Sequence, residues 1–183
     1  MTPPQRSRVS SGTETQSRTS RGCFFTGKLE SLDAVMSVEA RIGELLGDPA
    51  LLRDRDGETP LRRPLVKTEA LQAVHYTKGQ EYKEHYDNRA GSVHMRAATV
   101  LIYANGDCAA GGGTWFPRAE PLVPRGRACS DSRGVRVIPN EGRLIVFWSM
   151  DTDGTEDPAS LHAAEPVRSG QKWIVTRWLR EQP

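Results

Sequence analysis

A mainly β domain with supporting helices, built as a double-sheet jelly roll or barrel, is the fold class that the sequence predicts. Two observations carry that expectation. From Glu69 onward the chain breaks into short runs rich in β-branched and aromatic residues, punctuated by Gly, Pro and Asp. A single strong helical pattern precedes those runs, where it can pack on the outside of one sheet. The 183 residues suit one domain with a sizeable core, or one domain plus a loose end.

Taken in order, residues 1–21 are rich in Ser, Thr, Arg and Gln and hold almost no large apolar residue. They read as a flexible or loosely packed arm; an edge strand with a substrate-facing loop is the sharper alternative. The domain then occupies 22–183, with its β core at about 69–181. Ser31 to Leu46 reads as a helix whose broad apolar face carries Leu32, Val35, Met36, Ile42, Leu45 and Leu46. Ser31 is the expected N-cap, Gly47 the expected left-handed terminus, and Pro49 follows. Residues 48–64 read as a long loop. The expected strands are Ala70–Tyr76, Tyr82–Tyr86, Arg96–Tyr103, Gly113–Phe116, Val135–Pro139, Leu144–Ser149, Ser160–Ala163 and Trp173–Arg180.

The chemistry concentrates in His85-Tyr86-Asp87, with His162 far downstream and Lys172 ten residues beyond it. In a strand, alternate residues share a face, so His85 and Asp87 point together while Tyr86 faces the opposite layer. Only a fold that sets a late strand beside an early one brings His162 to them. Two imidazoles and one carboxylate can occupy one triangular face of iron(II), leaving three positions for a small acid and O2. The absence of thiolate disfavours a closed structural zinc site, although zinc catalysis with these ligands stays open. His75 and His94 lack such surroundings and read as structural or exposed. Lys172, Ile174, Thr176, Trp178 and Arg180 share one strand face; Trp173, Val175, Arg177 and Leu179 share the other. Lys172 alone would read as a snorkelling edge residue. A Ser169-Gly170 turn that returns its strand alongside His162 makes it instead a cation for the far end of a dicarboxylate.

The net charge of +2 and the scatter of Arg6, Arg8, Arg18 and Arg21 argue against nucleic acid as a partner. No segment has the length and apolarity of a membrane span. Cys23, Cys108 and Cys129 make a disulfide framework improbable, with one optional bridge. No signal peptide follows Met1, and the compartment is left open: the endoplasmic reticulum if a longer N-terminus carries that address, the cytoplasm otherwise. Composition does not fix the oligomeric state.

Tyr76-Thr-Lys-Gly79-Gln80-Glu-Tyr82-Lys-Glu-His85-Tyr-Asp87 resembles the first metal motif of the prolyl 4-hydroxylase family, in its plant and algal form. Arg96–Tyr103, Gly111–Pro117, Gly142–Trp148, Asp157–Val167 and Gly170–Trp178 are similar to its later motifs, in the same order. The resemblance covers roughly residues 70–180 strongly and Arg18–Leu46 more loosely. It implies a double-stranded β-helix and an iron(II)- and 2-oxoglutarate-dependent dioxygenase that hydroxylates peptidyl proline, releases succinate and CO2, consumes O2 and uses ascorbate as reductant. By the same likeness His85, Asp87 and His162 bind iron. Lys172 pairs with the distal carboxylate of 2-oxoglutarate, and Tyr76, Thr114 and Trp178 line its pocket. Tyr82, Arg96 and Arg180 fall on the side of a proline-containing peptide. Leu101, Trp148 and Trp178 are expected to form an apolar wall.

Three departures stand out. Arg180 replaces the histidine usual two residues after the final tryptophan. The spacer from Asp87 to Arg96 is short, and the chain begins later than the family pattern, as a fragment or a reduced version would. The competing readings are the same cofactor chemistry on another amino acid or metabolite, and a non-catalytic jelly-roll binding module.

Overall fold

The computed structural model describes residues 17–47, 65–67, 69–88, 95–106, 108, 110–120, 134–151 and 153–181. Along these residues run β1 (Arg21–Phe24), a 3-10 turn (Gly27–Leu29), α1 (Asp33–Leu46), β2 (Leu65–Lys67), β3 (Gln72–Tyr76) and β4 (Tyr82–His85). Next come β5 (Ala98–Tyr103), β6 (Ala110–Gly111), β7 (Thr114–Phe116), β8 (Val135–Val137) and β9 (Leu144–Trp148). A second 3-10 turn (Pro158–Ser160), β10 (His162–Ala164), β11 (Val167–Ser169) and β12 (Lys172–Glu181) complete the order.

The alternation of β5 sets the layering. Ala98, Val100 and Ile102 pack with Val35 and Ile42 of α1 and with Leu179, which makes one core between helix and sheet. Leu101 and Tyr103 point the other way, into a second core with Val74, Tyr76, Ile174, Ala164 and Val167. A strand buried on both faces needs apolar residues on both, which the run Ala-Thr-Val-Leu-Ile-Tyr provides. The large sheet has the order β1-β3-β12-β5-β9, with β2 added on β12. The smaller sheet is β4-β10-β7-β8, and β6 pairs with β11. All of these pairings are antiparallel. This is the jelly roll expected from the sequence. No helix among the described residues is long and apolar enough to cross a membrane.

Several local expectations change. The helix starts at Asp33 behind Leu32, because the Ser31 hydroxyl donates to the Lys28 carbonyl (3.0 Å) and closes the preceding turn instead of capping. Gly47 ends the helix in a right-handed conformation (φ −76°), its N–H reaching the Gly43 and Glu44 carbonyls. Leu32 and Met36 lie on the exposed side of α1, at 48% and 57% exposure, so the apolar face is narrower than the pattern implied. Gly170 does turn the chain (φ 77°), but β12 returns beside β3 and β5 of the large sheet and not beside β10. Lys172 and His162 therefore belong to different sheets. Trp148 packs on the helix side of the large sheet, so it takes no part in the expected apolar wall. Cys23 and Cys108 are free thiols. Residues 1–16, the expected loop at 48–64, His94 and Cys129 lie outside the described residues.

The described part of the expected arm carries structure. Ser17 and Thr19 exchange backbone hydrogen bonds with Lys83 and Glu81 around an Arg18–Tyr82 bridge, and Arg21–Phe24 pairs with β3. One polar segment thus runs from an edge of the small sheet to an edge of the large one, and covers backbone groups that both would leave unpaired.

Gly111 illustrates how tightly the β6–β11 corner is built. Its φ is +75°, and a Cβ there would lie 2.2 Å from the Pro166 carbonyl oxygen. Strained backbone plus that collision leads us to expect Gly111→Ala to destabilise the fold by about 3 kcal/mol or more, read as a lower denaturant midpoint at unchanged m-value.

Candidate metal centre and its surroundings

The β4–β10 pairing sets His162 directly opposite His85, with the imidazole centroids 4.2 Å apart. Each ring has its Nδ1 on a backbone carbonyl, His85 on Lys83 at 2.7 Å and His162 on Ser160 at 2.9 Å. A carbonyl only accepts, so both Nδ1 atoms carry the proton and both Nε2 atoms present lone pairs. Asp87 completes the group. Its Oδ1 lies 3.9 Å from each Nε2, and the three ligand atoms are all within 4.8 Å of one another.

Asp87 reaches that position by a route that strand alternation does not supply. Strand β4 ends at His85, and Asp87 stands in the bend beyond it. Thr99 on β5 donates to Oδ2 at 2.5 Å, which turns Oδ1 toward the histidines. Burial pushes the Asp87 pKa upward, but the neighbouring His162 and His85 and the Thr99 hydrogen bond outweigh it and hold the carboxyl below its usual range. Burial first, and then the proximity of a second imidazole at His162, push the His85 pKa down and keep this ring a neutral ligand. One ionised carboxylate and two aimed imidazole lone pairs fit a ferrous ion, and no thiolate joins them among the described residues.

The other expected residues separate into two groups. Tyr76, Thr114 and Trp178 line one cavity with His85, Asp87 and His162. Burial raises the Tyr76 pKa and keeps its phenol neutral. The Thr114 hydroxyl is 2.7 Å from the Tyr103 hydroxyl, which also donates to the Val137 carbonyl. Trp178 Nε1 is buried and has no hydrogen-bond partner among the described residues. Lys172 is 1% exposed, with its ammonium over the Tyr76 ring and donating to the Gly112 carbonyl at 2.7 Å. Burial lowers its pKa to about 8, against the opposing pull of Cys108 and Glu165. A buried ammonium with one carbonyl partner among the described residues, and an indole N–H with none, are suited to an anionic ligand with further acceptors.

Tyr82 also lines the cavity and stacks on His85, with the centroids 3.5 Å apart. Arg96 and Arg180 converge on Glu69 instead. Arg96 meets it through Nε (2.8 Å) and Nη2 (2.6 Å), and Arg180 through Nη2 (2.9 Å). The Arg96 guanidinium lies 3.8 Å from the centre of the Trp178 ring. Burial would raise the Glu69 pKa, yet the two arginines hold it below its usual range. His75 stacks on Trp173 and meets Gln171 away from the metal ligands, in keeping with a structural role.

Sequence reasoning missed Thr99, Glu69, Asn88 and Arg18. Arg18 lines the cavity, its guanidinium 5.2 Å from the Tyr82 ring centre. Thr99 was legible in the alternation of β5, where it is the one small hydroxyl residue on the face opposite Ala98 and Val100. Arg18 carried no such signal, because an isolated arginine in a Ser- and Thr-rich stretch reads as solvated.

Residues 71–180 match the family model described as the 2OG-Fe(II) oxygenase superfamily. Prolyl 4-hydroxylase 1 of Arabidopsis thaliana is 33% identical over 178 residues, covering 93% of this chain and 56% of that protein. Probable prolyl 4-hydroxylase 10 of the same plant is 41% identical over 129 residues, covering 64% of this chain and 44% of the relative. The chain thus spans about half the length of the curated relatives it matches. The 2OG complex of viral collagen prolyl hydroxylase vCPH from Paramecium Bursaria Chlorella virus-1 superposes with a TM-score of 0.67 at 25% identity, covering 91% of this chain and 81% of that one. A Trichoplax adhaerens prolyl hydroxylase, solved with a hypoxia inducible factor peptide fragment, shares the fold with a TM-score of 0.68 at 18% identity, covering 97% and 70%.

If Thr99 orients Asp87, Thr99→Val will weaken Co(II) binding by about tenfold, as loss of an outer hydrogen bond to a ligand does. His162→Ala will abolish it. Titration followed by visible absorption reads both, and equal affinities for wild type and Thr99→Val would contradict the assigned orientation.

Proposed function

We propose that this chain, which belongs to the 2OG-Fe(II) oxygenase superfamily, hydroxylates peptidyl proline. The convergence of His85, Asp87 and His162 carries the reading, because their three donor atoms can share one ion inside the cavity. The naming of the similar proteins as prolyl 4-hydroxylases supports proline as the target. Once bound, iron(II) and 2-oxoglutarate supply the oxidising chemistry, in which O2 is consumed, 2-oxoglutarate becomes succinate and CO2, one oxygen atom ends on the substrate carbon, and ascorbate keeps the metal ferrous.

The residues of the chain supply position and surroundings. His85, Asp87 and His162 would hold the metal through two imidazole nitrogens and one carboxylate oxygen. The Lys172 ammonium draws the distal carboxylate of 2-oxoglutarate into the interior by a charge-assisted hydrogen bond. Tyr76 and Thr114 add hydroxyls to the pocket, and Trp178 adds an unpaired Nε1–H that can donate to the acid. Leu101 and Ile174 add an apolar wall that limits solvent beside the reacting carbon. Tyr82 and Arg180 are assigned to the peptide side. Arg180 Nη1 is buried with no acceptor among the described residues and suits a peptide carbonyl.

Proline-rich peptides incubated with the protein, iron(II), 2-oxoglutarate and ascorbate should gain one oxygen atom per succinate released. Absence of both products from a folded, iron-loaded sample would refute the assignment, whereas succinate without modified peptide would move the substrate and keep the cofactors. Lys172→Ala should raise the KM for 2-oxoglutarate by about 10- to 100-fold, the value of a hydrogen bond to a charged group.

The lowered pKa of Lys172 gives a pH dependence. Below about 8 the side chain is already charged and binds the acid without proton exchange. Above about 8 it is neutral in the ligand-free protein and must take up a proton on binding. Affinity for 2-oxoglutarate should therefore fall as pH rises past that value. Calorimetry in buffers of different ionisation enthalpy should register proton uptake at pH 9 and not at pH 7. Equal proton exchange at both would remove Lys172 from the anion site.

A further inference from the structure

Arg96 has no guanidinium nitrogen left without an acceptor. Its Nε and Nη2 hold the two Glu69 oxygens, and its Nη1 donates to the backbone carbonyl of Asp87 at 3.0 Å. The neighbouring residue answers in the opposite direction. Asn88 is buried; its Oδ1 accepts from the Arg96 N–H at 2.6 Å, and its Nδ2 donates to the Arg96 carbonyl at 3.1 Å. The main chain of 87–88 is thus bound by the side chain of 96, and the main chain of 96 by the side chain of 88.

We infer that Asn88 and Arg96 form a two-way clamp that positions the Asp87 carboxylate, so that Arg96 serves here as a positioning residue. The inference rests on the reading of His85, Asp87 and His162 as an iron site. Asp87 needs such a device because it stands beyond the end of β4, where no strand pairing fixes its backbone. Thr99 fixes only the carboxylate, through Oδ2. A rotation of the 87–88 backbone would swing Oδ1 off the two Nε2 atoms, and the paired amide contacts of Asn88 resist that rotation. Glu69 and the Trp178 ring immobilise the guanidinium from two further sides, which makes it a rigid anchor for the Asp87 carbonyl. Arg suits this position because its planar fork serves Glu69 with two nitrogens while a third points elsewhere; a lysine offers one point of contact.

The test uses Co(II) alone as the probe, with no peptide present. Wild-type protein is titrated beside Asn88→Ala and Arg96→Gln, and the visible spectrum of the bound ion is recorded. The clamp requires Co(II) affinity to fall by about tenfold or more in both variants, with an altered Co(II) spectrum. Arg96→Lys should recover only part of the loss, and Asn88→Ser should be milder than Asn88→Ala. Thermal melting of the metal-free proteins checks that they are folded. If Asn88→Ala does not fold, Asn88→Ser and Arg96→Lys decide the matter by the same readouts.

A peptide-contact role for Arg96 predicts something different. Arg96→Gln would then leave Co(II) affinity and spectrum unchanged and raise only the peptide KM, and that result would overturn the clamp. Unchanged binding in Asn88→Ala beside normal binding in wild type would do the same while leaving the metal site intact. Failure of wild-type protein itself to bind Co(II) would instead remove the metal reading on which the clamp depends.

Discussion

A buried carboxylate facing two imidazoles is the constraint on which the remaining structure depends. Asp87 must stay ionised inside the fold and keep one oxygen turned to the same point as two ring nitrogens. Each neighbouring feature serves that requirement. Backbone carbonyls fix the tautomers of His85 and His162, the Thr99 hydroxyl takes the second carboxylate oxygen, and Arg96 takes the main-chain carbonyl. The Arg96–Glu69–Arg180 group has a net positive charge beside the carboxylate, which further favours its ionised form.

The layers make this arrangement possible. The two histidines belong to the smaller sheet, whereas Thr99, Lys172 and Trp178 come from the large one. The centre therefore lies between sheets, and its geometry is set by how they pack. Strands β5 and β12 link it to the helix. Val175 and Leu179 of β12 face α1, while Ile174, Thr176 and Trp178 line the cavity. An ion pair between the buried Arg177 and the half-buried Glu39 ties the outer face of β12 to the helix. Helix packing and cavity shape are consequently properties of the same strands.

Much of this was legible in the chain. Eight expected strands correspond to β3, β4, β5, β7, β8, β9, β10 and β12, because each carries a period-two or continuous apolar pattern bounded by turn residues. The division of β12 into two faces followed from the same alternation. Strands β2, β6 and β11 were not anticipated, and β1 begins where the arm offered an edge strand only as an alternative; none of the four carries a clear apolar alternation. Of the candidate site residues, His85, Asp87, His162, Tyr76, Thr114, Trp178 and Tyr82 share one cavity. Arg96 and Arg180 join through Glu69, and that link is invisible to local reading because it connects three distant points of the chain. The partner of Lys172 was misjudged for a related reason. The Gly170 turn was correctly placed, but pairing beyond a turn is decided by the whole sheet.

Of the four tryptophans, Trp178 alone lines the cavity; Trp148 is turned toward the helix, and Trp173 stacks on His75 at the periphery. One face of the Trp178 indole is covered by the Arg96 cation, and its N–H awaits an acceptor. Whatever enters the cavity changes the polarity around that ring. The molecule carries its own fluorophore at the point of occupancy, and its emission gauges filling without any attached dye.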